Sequence, residues 1–378
     1  MPAFRTIALT IFGWSLLSAA PALAQAQAQA DLPMRLTNAN VRQVPASGNL
    51  AAQVKELVAQ QADPGWIAYT QPMIEGKTAG CCYGNDGGIY IDGDASACCG
   101  LCRLEGDRDG TRSSTGSATP AQPIKLEGSS TYAVLIRVVS KQIDKIRTFS
   151  ADCQLDGGGR TVTLLTGVRP ADSVALLESL VADVTTASTP ERARHGAVGA
   201  IALARDPAAD ASLQRLLSTS YPDSIRRDAV FWLGMARGRT GFEAVKRVIN
   251  DEKSGSIRKH AVFALSQSRE PEVVPTLIDL ARNHATAEIR GEAIFWLAHK
   301  AGAKTAATIT EAIEKDPDTQ VKKRAVFALS QMPKDEGVPL LIQIARNNTN
   351  PVVRKQAIFW LGQSKDPRAL DYFESVLK

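Results

Sequence analysis

IRRDAVFWLG at residues 225–234 decides the reading of the whole C-terminal half, because the chain returns to it at a constant interval. Upstream it is ARHGAVGAIA (193–202); downstream it becomes IRKHAVFALS (257–266), IRGEAIFWLA (289–298), VKKRAVFALS (321–330) and VRKQAIFWLG (353–362). Six copies align without a gap, so this is an internal repeat. Within each copy apolar residues fall at i, i+4, i+7 and i+8, as in Ile225, Ala229, Trp232 and Leu233, which is one face of a helix.

A second helical stretch precedes each copy, for example VVPTLIDLA (273–281) and VPLLIQIA (338–345). Short polar turns with Asp, Ser or Asn separate the two, such as Asp316-Pro-Asp and Asn350-Pro, and these residue types cap helix N-termini. Each repeat is therefore a helical hairpin. A hairpin of this size cannot bury both faces alone, so stacked neighbours supply the core and a right-handed superhelical solenoid is expected from 171 to 378, with six repeats and a terminal helix.

The unit Asp/Asn-x-x-[Ile/Val]-[Arg/Lys]-x-x-Ala-[Val/Ile]-x-x-Leu, complete from Asp318 to Leu329, resembles the HEAT repeat, in particular the short bacterial armadillo-like type grouped with phycobilisome-lyase proteins. The resemblance implies an α-solenoid that binds other macromolecules through its surface residues. It also raises an enzymatic branch, the HEAT-like hydroxylases, whose di-iron centre rests on repeated His-Glu pairs. This chain has no His-Glu dipeptide, and its four histidines, His195, His260, His284 and His299, occupy different repeat positions. Chromophore-lyase activity conflicts with the compartment argued below.

Two columns of the repeat stand out. At the eighth position Ala200, Trp232, Ala264, Trp296, Ala328 and Trp360 alternate small and large, so the pattern closes only at every second repeat. Interdigitation between neighbours explains this better than a ladder of exposed indoles, since Trp232, Trp296 and Trp360 share the helical face of the apolar anchors. The second position carries Arg226, Arg258, Arg290, Lys322 and Arg354, which in HEAT repeats usually reach the turn acid and serve the structure. The third position gives Arg227, Lys259, Lys323 and Lys355, joined by Arg324 from the fourth. No partner within the repeat explains these five cations, so they are the candidate site for an acidic partner, against the plainer expectation of a solvated face.

Outward from the repeats, charge divides the chain. Residues 191–378 hold 29 basic and 22 acidic residues, net +7, whereas 25–190 hold 14 and 17, net −3. The overall charge of +5 is too slight to indicate a nucleic-acid binder, and 44% hydrophobic with 22% charged residues is ordinary globular composition. At the start, Arg5, an apolar run over 7–20, Pro21 and Ala22-Leu23-Ala24 form a signal-peptide pattern over 1–24, too short to span a bilayer. A periplasmic or secreted protein that does not span the membrane is expected. Residues 25–49, beginning with an Ala-Gln tract, read as a low-complexity tether.

Residues 50–170 read as a small α+β domain: a helix over 50–61, a Gly-rich stretch over 76–117, and strands near 131–139, 143–149 and 161–165 in an antiparallel sheet, with Asp156-Gly-Gly-Gly as a turn. This domain is placed to cap the solenoid's N-terminal end. FSADCQLDGGG (149–159) resembles the N-terminal regions of exported bacterial HEAT proteins. All six cysteines, Cys81, Cys82, Cys98, Cys99, Cys102 and Cys153, lie here. An even number in an exported chain favours disulfides; the Cys99-Gly-Leu-Cys102 motif leaves a zinc site and a redox pair as rivals.

The fold class expected is mainly α, a HEAT-like solenoid preceded by a small cysteine-bearing α+β domain. No phosphate loop, nucleophile elbow or zinc-protease helix occurs, and no catalytic, metal or cofactor residue is assigned. The expected role is an exported scaffold, monomeric on its own, that binds another protein or an acidic envelope polymer and no nucleic acid. The alternative is a metal- or redox-active accessory protein of the hydroxylase or lyase type.

Overall fold

The computed structural model describes residues 33–77, 79, 102–105, 129–182 and 189–377. The signal-peptide segment 1–24 and Cys81, Cys82, Cys98 and Cys99 lie outside the described residues. Fourteen α-helices and six strands are present among the described residues.

The repeats form the hairpins that their periodicity demands. First helices are α2 (Pro170–Ala182), α4 (Pro207–Arg215), α6 (Gly238–Asp251), α8 (Val273–Asn283), α10 (Ala306–Lys315), α12 (Lys334–Asn347) and α14 (Pro367–Leu377). Second helices, which carry the repeated motif, are α3 (Glu191–Leu203), α5 (Asp223–Ala236), α7 (Gly255–Gln267), α9 (Ala287–Ala301), α11 (Thr319–Ser330) and α13 (Pro351–Ser364). Each second helix packs on the next, α3 on α5 through to α11 on α13. Turn chemistry sets several starts: Asp206, Asp318 and Asn350 accept hydrogen bonds from backbone N–H groups of α4, α11 and α13. At α5 the N-cap is Pro222 without a side-chain bond, and Asp223 in the first turn binds Arg226 instead.

Small residues at the tenth repeat position let these helices approach. A Cβ on Gly234 would lie 2.2 Å from the Ala264 carbonyl oxygen, so α5 and α7 meet backbone to backbone there. At the first position Ile225, Ile257, Ile289, Val321 and Val353 are all buried, and with the fifth-position alanines they run as one continuous core. Burial of this apolar surface, at roughly 25 cal/mol per Å², is the main stabilising term.

The N-terminal region is a mixed sheet, which corrects the antiparallel expectation. Its strands are β1 (Arg35–Pro45), β2 (Gly65–Pro72), β3 (Cys102–Arg103), β4 (Thr131–Val139), β5 (Gln142–Ser150) and β6 (Gln154–Thr166), in the order β1-β6-β2-β4-β5 with β3 beside β6. β2–β4 and β4–β5 are antiparallel, but β1 and β2 both flank β6 in parallel. Two further corrections concern boundaries. The region 25–49 is not wholly a tether, because β1 joins the sheet; only Leu36 on it is buried, so it carries almost no hydrophobic signal. Asp156-Gly-Gly-Gly is not a turn but lies inside β6, where pairing with β1 slips between Thr37 and Ala39.

Helix α1 (Leu50–Gln60) and helices α2 and α3 cover one sheet face, packing on Tyr69, Tyr132, Val134 and Ile136. The other face holds a separate cluster around Trp66, Leu135, Phe149, Cys153 and Leu164. Strand β5 seats on α3 so closely that a Cβ on Gly196 would lie 2.2 Å from the Ile146 carbonyl oxygen. Tyr132 donates its hydroxyl proton to the Ala200 carbonyl at 2.7 Å, and Arg192 of α3 pairs with Asp144 of β5. The sheet thus closes the N-terminal end of the helical stack.

Candidate binding face of the solenoid

The cations of the second position turn inward to the turns between helices. Buried Arg226 donates to the Leu217 carbonyl and pairs with Glu252 in the following turn. Arg290 repeats this with a bidentate pair to Asp316, at 2.7 and 2.9 Å, and binds the His284 and Ala285 carbonyls. In the alternate repeats that acid is missing. The place of Glu252 and Asp316 is taken by His284 in the turn after Arg258, and by Asn348 in the turn after Lys322. Arg258 Nη1 donates instead to Thr286 at 3.3 Å. Lys322 reaches the Glu314 carbonyl, and Arg354 the Asn348 and Thr349 carbonyls. The doubled period seen in the Trp column therefore reappears in the ion pairs. The guanidinium of Arg290 holds the Asp316 carboxyl below its usual range against the opposing effect of burial.

The outer cations fall into two groups. Lys259 pairs with Glu288 at 2.8 Å and Arg324 with Glu292 at 3.1 Å, each across to a neighbouring repeat. Neither acid belongs to its cation's own repeat: both lie on adjacent second helices, so only stacking reveals them. Arg227, Lys323 and Lys355 make no ion pair among the described residues. On the same strip His195 of α3 pairs with Asp228 of α5, which raises the imidazole pKa, whereas burial and then the charge of Arg227 lower that of His260.

Beside this row runs a feature that sequence reading passed over. The seventh repeat position is Phe231, Phe263, Phe295, Phe327 and Phe359 in five successive copies, and these rings join the indoles in one seam. Phe231 stacks on Phe263 (centroids 5.9 Å), Phe263 meets Trp296 (4.8 Å), Trp296 meets Phe295 edge-on (5.0 Å), Phe295 stacks on Phe327 (5.8 Å) and Phe327 meets Trp360 (4.9 Å). The indoles are packing elements: Trp232 is buried, while Trp296 and Trp360 are half-buried, each against the Phe of the preceding repeat. The small eighth-position residues Ala200, Ala264 and Ala328 are fully buried. Glu292 ties seam to charge, accepting from Trp296 Nε1 at 3.0 Å and from Arg324. The four histidines do not converge. His195 serves its ion pair, His284 Nδ1 accepts from the Thr286 N–H, and His260 and His299 lie against Phe263 and Phe295.

In the sheet region Cys153 is buried and disulfide-bonded, and the backbone of Cys102 pairs with Leu155 of β6. Nearby, Glu105 accepts from Trp66 Nε1 at 2.9 Å and pairs with Arg137, which also holds Asp144. Lys145 sits over the Trp66 ring, its pKa lowered to about 8 by burial and then by Arg147.

The model for HEAT repeats matches residues 217–298 and 306–378, the segments that form these stacked hairpins. These two segments are HEAT repeats. Among solved structures, the chain is similar to human deoxyhypusine hydroxylase in complex with glycerol, at 16% identity over 55% of this chain and 90% of that one, TM-score 0.30. It is also similar to YibA of E. coli (22% identity, 49% and 68% covered, TM-score 0.34) and to the CpcE–CpcF phycocyanin lyase of Nostoc sp. PCC7120 (19%, 41% and 98%, TM-score 0.31). No curated protein sequence matches the chain. Among the described residues no helix of the HEAT array or the sheet region is long and apolar enough to cross a membrane.

Proposed function

We propose that the chain is an exported scaffold whose HEAT array binds another macromolecule along the face of its second helices. The observation that carries this reading is the surplus of charge there. Asp228, Glu288 and Glu292 are all engaged by His195, Lys259 and Arg324, while Arg227, Lys323 and Lys355 keep no carboxylate partner among the described residues. Solenoids bind through extended faces of this kind, and unpaired surface cations steer acidic partners. The signal-peptide pattern of 1–24 supports delivery to the periplasm or beyond, and six cysteines in an exported chain support a disulfide-bonded N-terminal region.

The test is capture of partners from an envelope extract by the wild type and by the Arg227→Glu, Lys323→Glu, Lys355→Glu triple variant, at low and moderate salt. The triple variant should keep its melting temperature and lose the partner. Retention of the same partner at both salt levels would sink the reading, because screening over about 10 Å at 0.1 M weakens only charge-dependent contacts.

A further inference from the structure

We propose that the aromatic seam is the anchoring surface for an extended acidic polypeptide segment in which carboxylates alternate with apolar side chains. This rests on the binding role proposed above and names the chemistry of the partner. Three observations converge on it.

The first is the way the rings are turned. Phe295 and Phe327 lie 7° from parallel with centroids 5.8 Å apart, and Phe231 and Phe263 19° and 5.9 Å, so the rings of each pair run side by side, slipped past one another, and every ring of the column keeps part of its surface exposed. Aromatic edges carry the positive side of the ring quadrupole and attract carboxylates, and the clefts between stacked pairs accept small apolar groups.

The second is the placement of charge. Each cation that makes no ion pair among the described residues stands one helical turn before a seam ring on the same helix, Arg227 before Phe231, Lys323 before Phe327 and Lys355 before Phe359, and residues at that i,i+4 spacing are neighbours on one helix face. Cation and ring therefore present one surface, positive and apolar together, while Asp228, Glu288 and Glu292 are engaged by His195, Lys259 and Arg324.

The third is length. Five successive second helices, α5 to α13, at roughly 9–10 Å per step span about 40 Å. An extended chain rising about 3.3 Å per residue covers that with about 12 residues. Phe359 at the far end is 53% exposed, open for a terminal anchor.

The full chain is titrated with a peptide of that length in which Glu and Leu alternate, with oligoglutamate, with alternating Lys and Leu, and with an oligomer of uronic acid, following tryptophan emission and calorimetry. The Glu-Leu peptide should bind, shift the emission, and bind at least tenfold more tightly than any of the others. Phe327→Ser should weaken it at least tenfold and Phe327→Leu much less. Because loss of Phe327 disturbs packing, Phe359→Ser, at an exposed ring, provides the same comparison in a chain that melts as the wild type does.

Equal binding to wild type and both Ser variants, tighter binding of the uronic acid oligomer, or no binding of the Glu-Leu peptide each overturns the inference. Capture from the extract separates the two readings. If the wild type retains a partner that the triple Glu variant loses, while the peptide fails to bind, the scaffold stands and only the peptide chemistry falls.

Discussion

Gly234→Ala and Gly362→Ala place the same methyl group at the same repeat position and should change stability in opposite directions. In both helices Ala is favoured over Gly by up to about 1 kcal/mol, because glycine loses more backbone freedom on folding. At Gly362 the new Cβ meets nothing within 4 Å, so that gain remains. Near the end of α13 it falls at the lower end of the range, about 0.5 kcal/mol. At Gly234 the Cβ lands 2.2 Å from the Ala264 carbonyl oxygen and 2.6 Å from the carbonyl carbon. Those are backbone atoms and cannot rotate aside, so α5 and α7 must separate by nearly an ångström. Overpacking of this kind costs about 1–3 kcal/mol, and a backbone contact belongs at the upper end. The net expectation is a loss of about 2 kcal/mol for Gly234→Ala. For an unfolding unit the size of the helical array, about 200 residues, that is a fall of roughly 4–8 °C in melting temperature, against a rise of about 1–2 °C for Gly362→Ala. Circular dichroism melts of the two variants and the wild type measure both. If Gly234→Ala melts at or above the wild type, the backbone contact between second helices is wrong, and the small tenth-position residues need another explanation.

Arg290→Met should cost about 3–5 kcal/mol by leaving the Asp316 carboxylate buried without its partner, and Asp316→Leu added to it should restore much of that in urea unfolding. Trp296→Ala, removing a half-buried indole from between Phe263 and Phe295, should cost about 2 kcal/mol, below the range of a fully buried aromatic; an unchanged urea midpoint would remove the indole from the packing scheme. Two histidines give opposite pH dependences. Pairing with Asp228 raises the pKa of His195, so its stabilisation is complete below about 6.5 and fades as pH climbs through the raised value; burial lowers that of His260, so its contribution is present above about 6.5 and fades as pH falls. NMR titration should place their midpoints on either side of 6.5, and coincident midpoints would refute both assignments.

The helical array was legible because its signal is periodic: an apolar face repeated six times at one fixed interval outweighs any local ambiguity. The sheet was less so. Strand β2, GWIAYTQP, sits in the middle of the sheet with both sides covered, so it shows no alternation to mark it. Strand β1 fails for the opposite reason, being an edge with one buried side chain. In β6 three glycines accommodate a slip in pairing, and the same composition spells a turn when read alone. The cation row was visible by residue, but its division was not. Glu288 and Glu292 reach Lys259 and Arg324 only when neighbouring helices stack, so a search within one repeat misses them. The Phe column was present in the sequence at the same interval as the Trp column. A constant residue shows no alternation to set it apart, and only stacking reveals it as one continuous, partly exposed seam.

The face of the second helices is the centre of the functional proposal, and site-directed photocrosslinking tests it most directly. A photoreactive amino acid replaces Lys323 on α11 in one variant and Glu314, exposed on the first helix α10, in another. Irradiation in an envelope extract should yield a discrete adduct from position 323 that is absent from position 314. An adduct from 314 alone, or equal adducts from both, would contradict the placement of binding on the second helices.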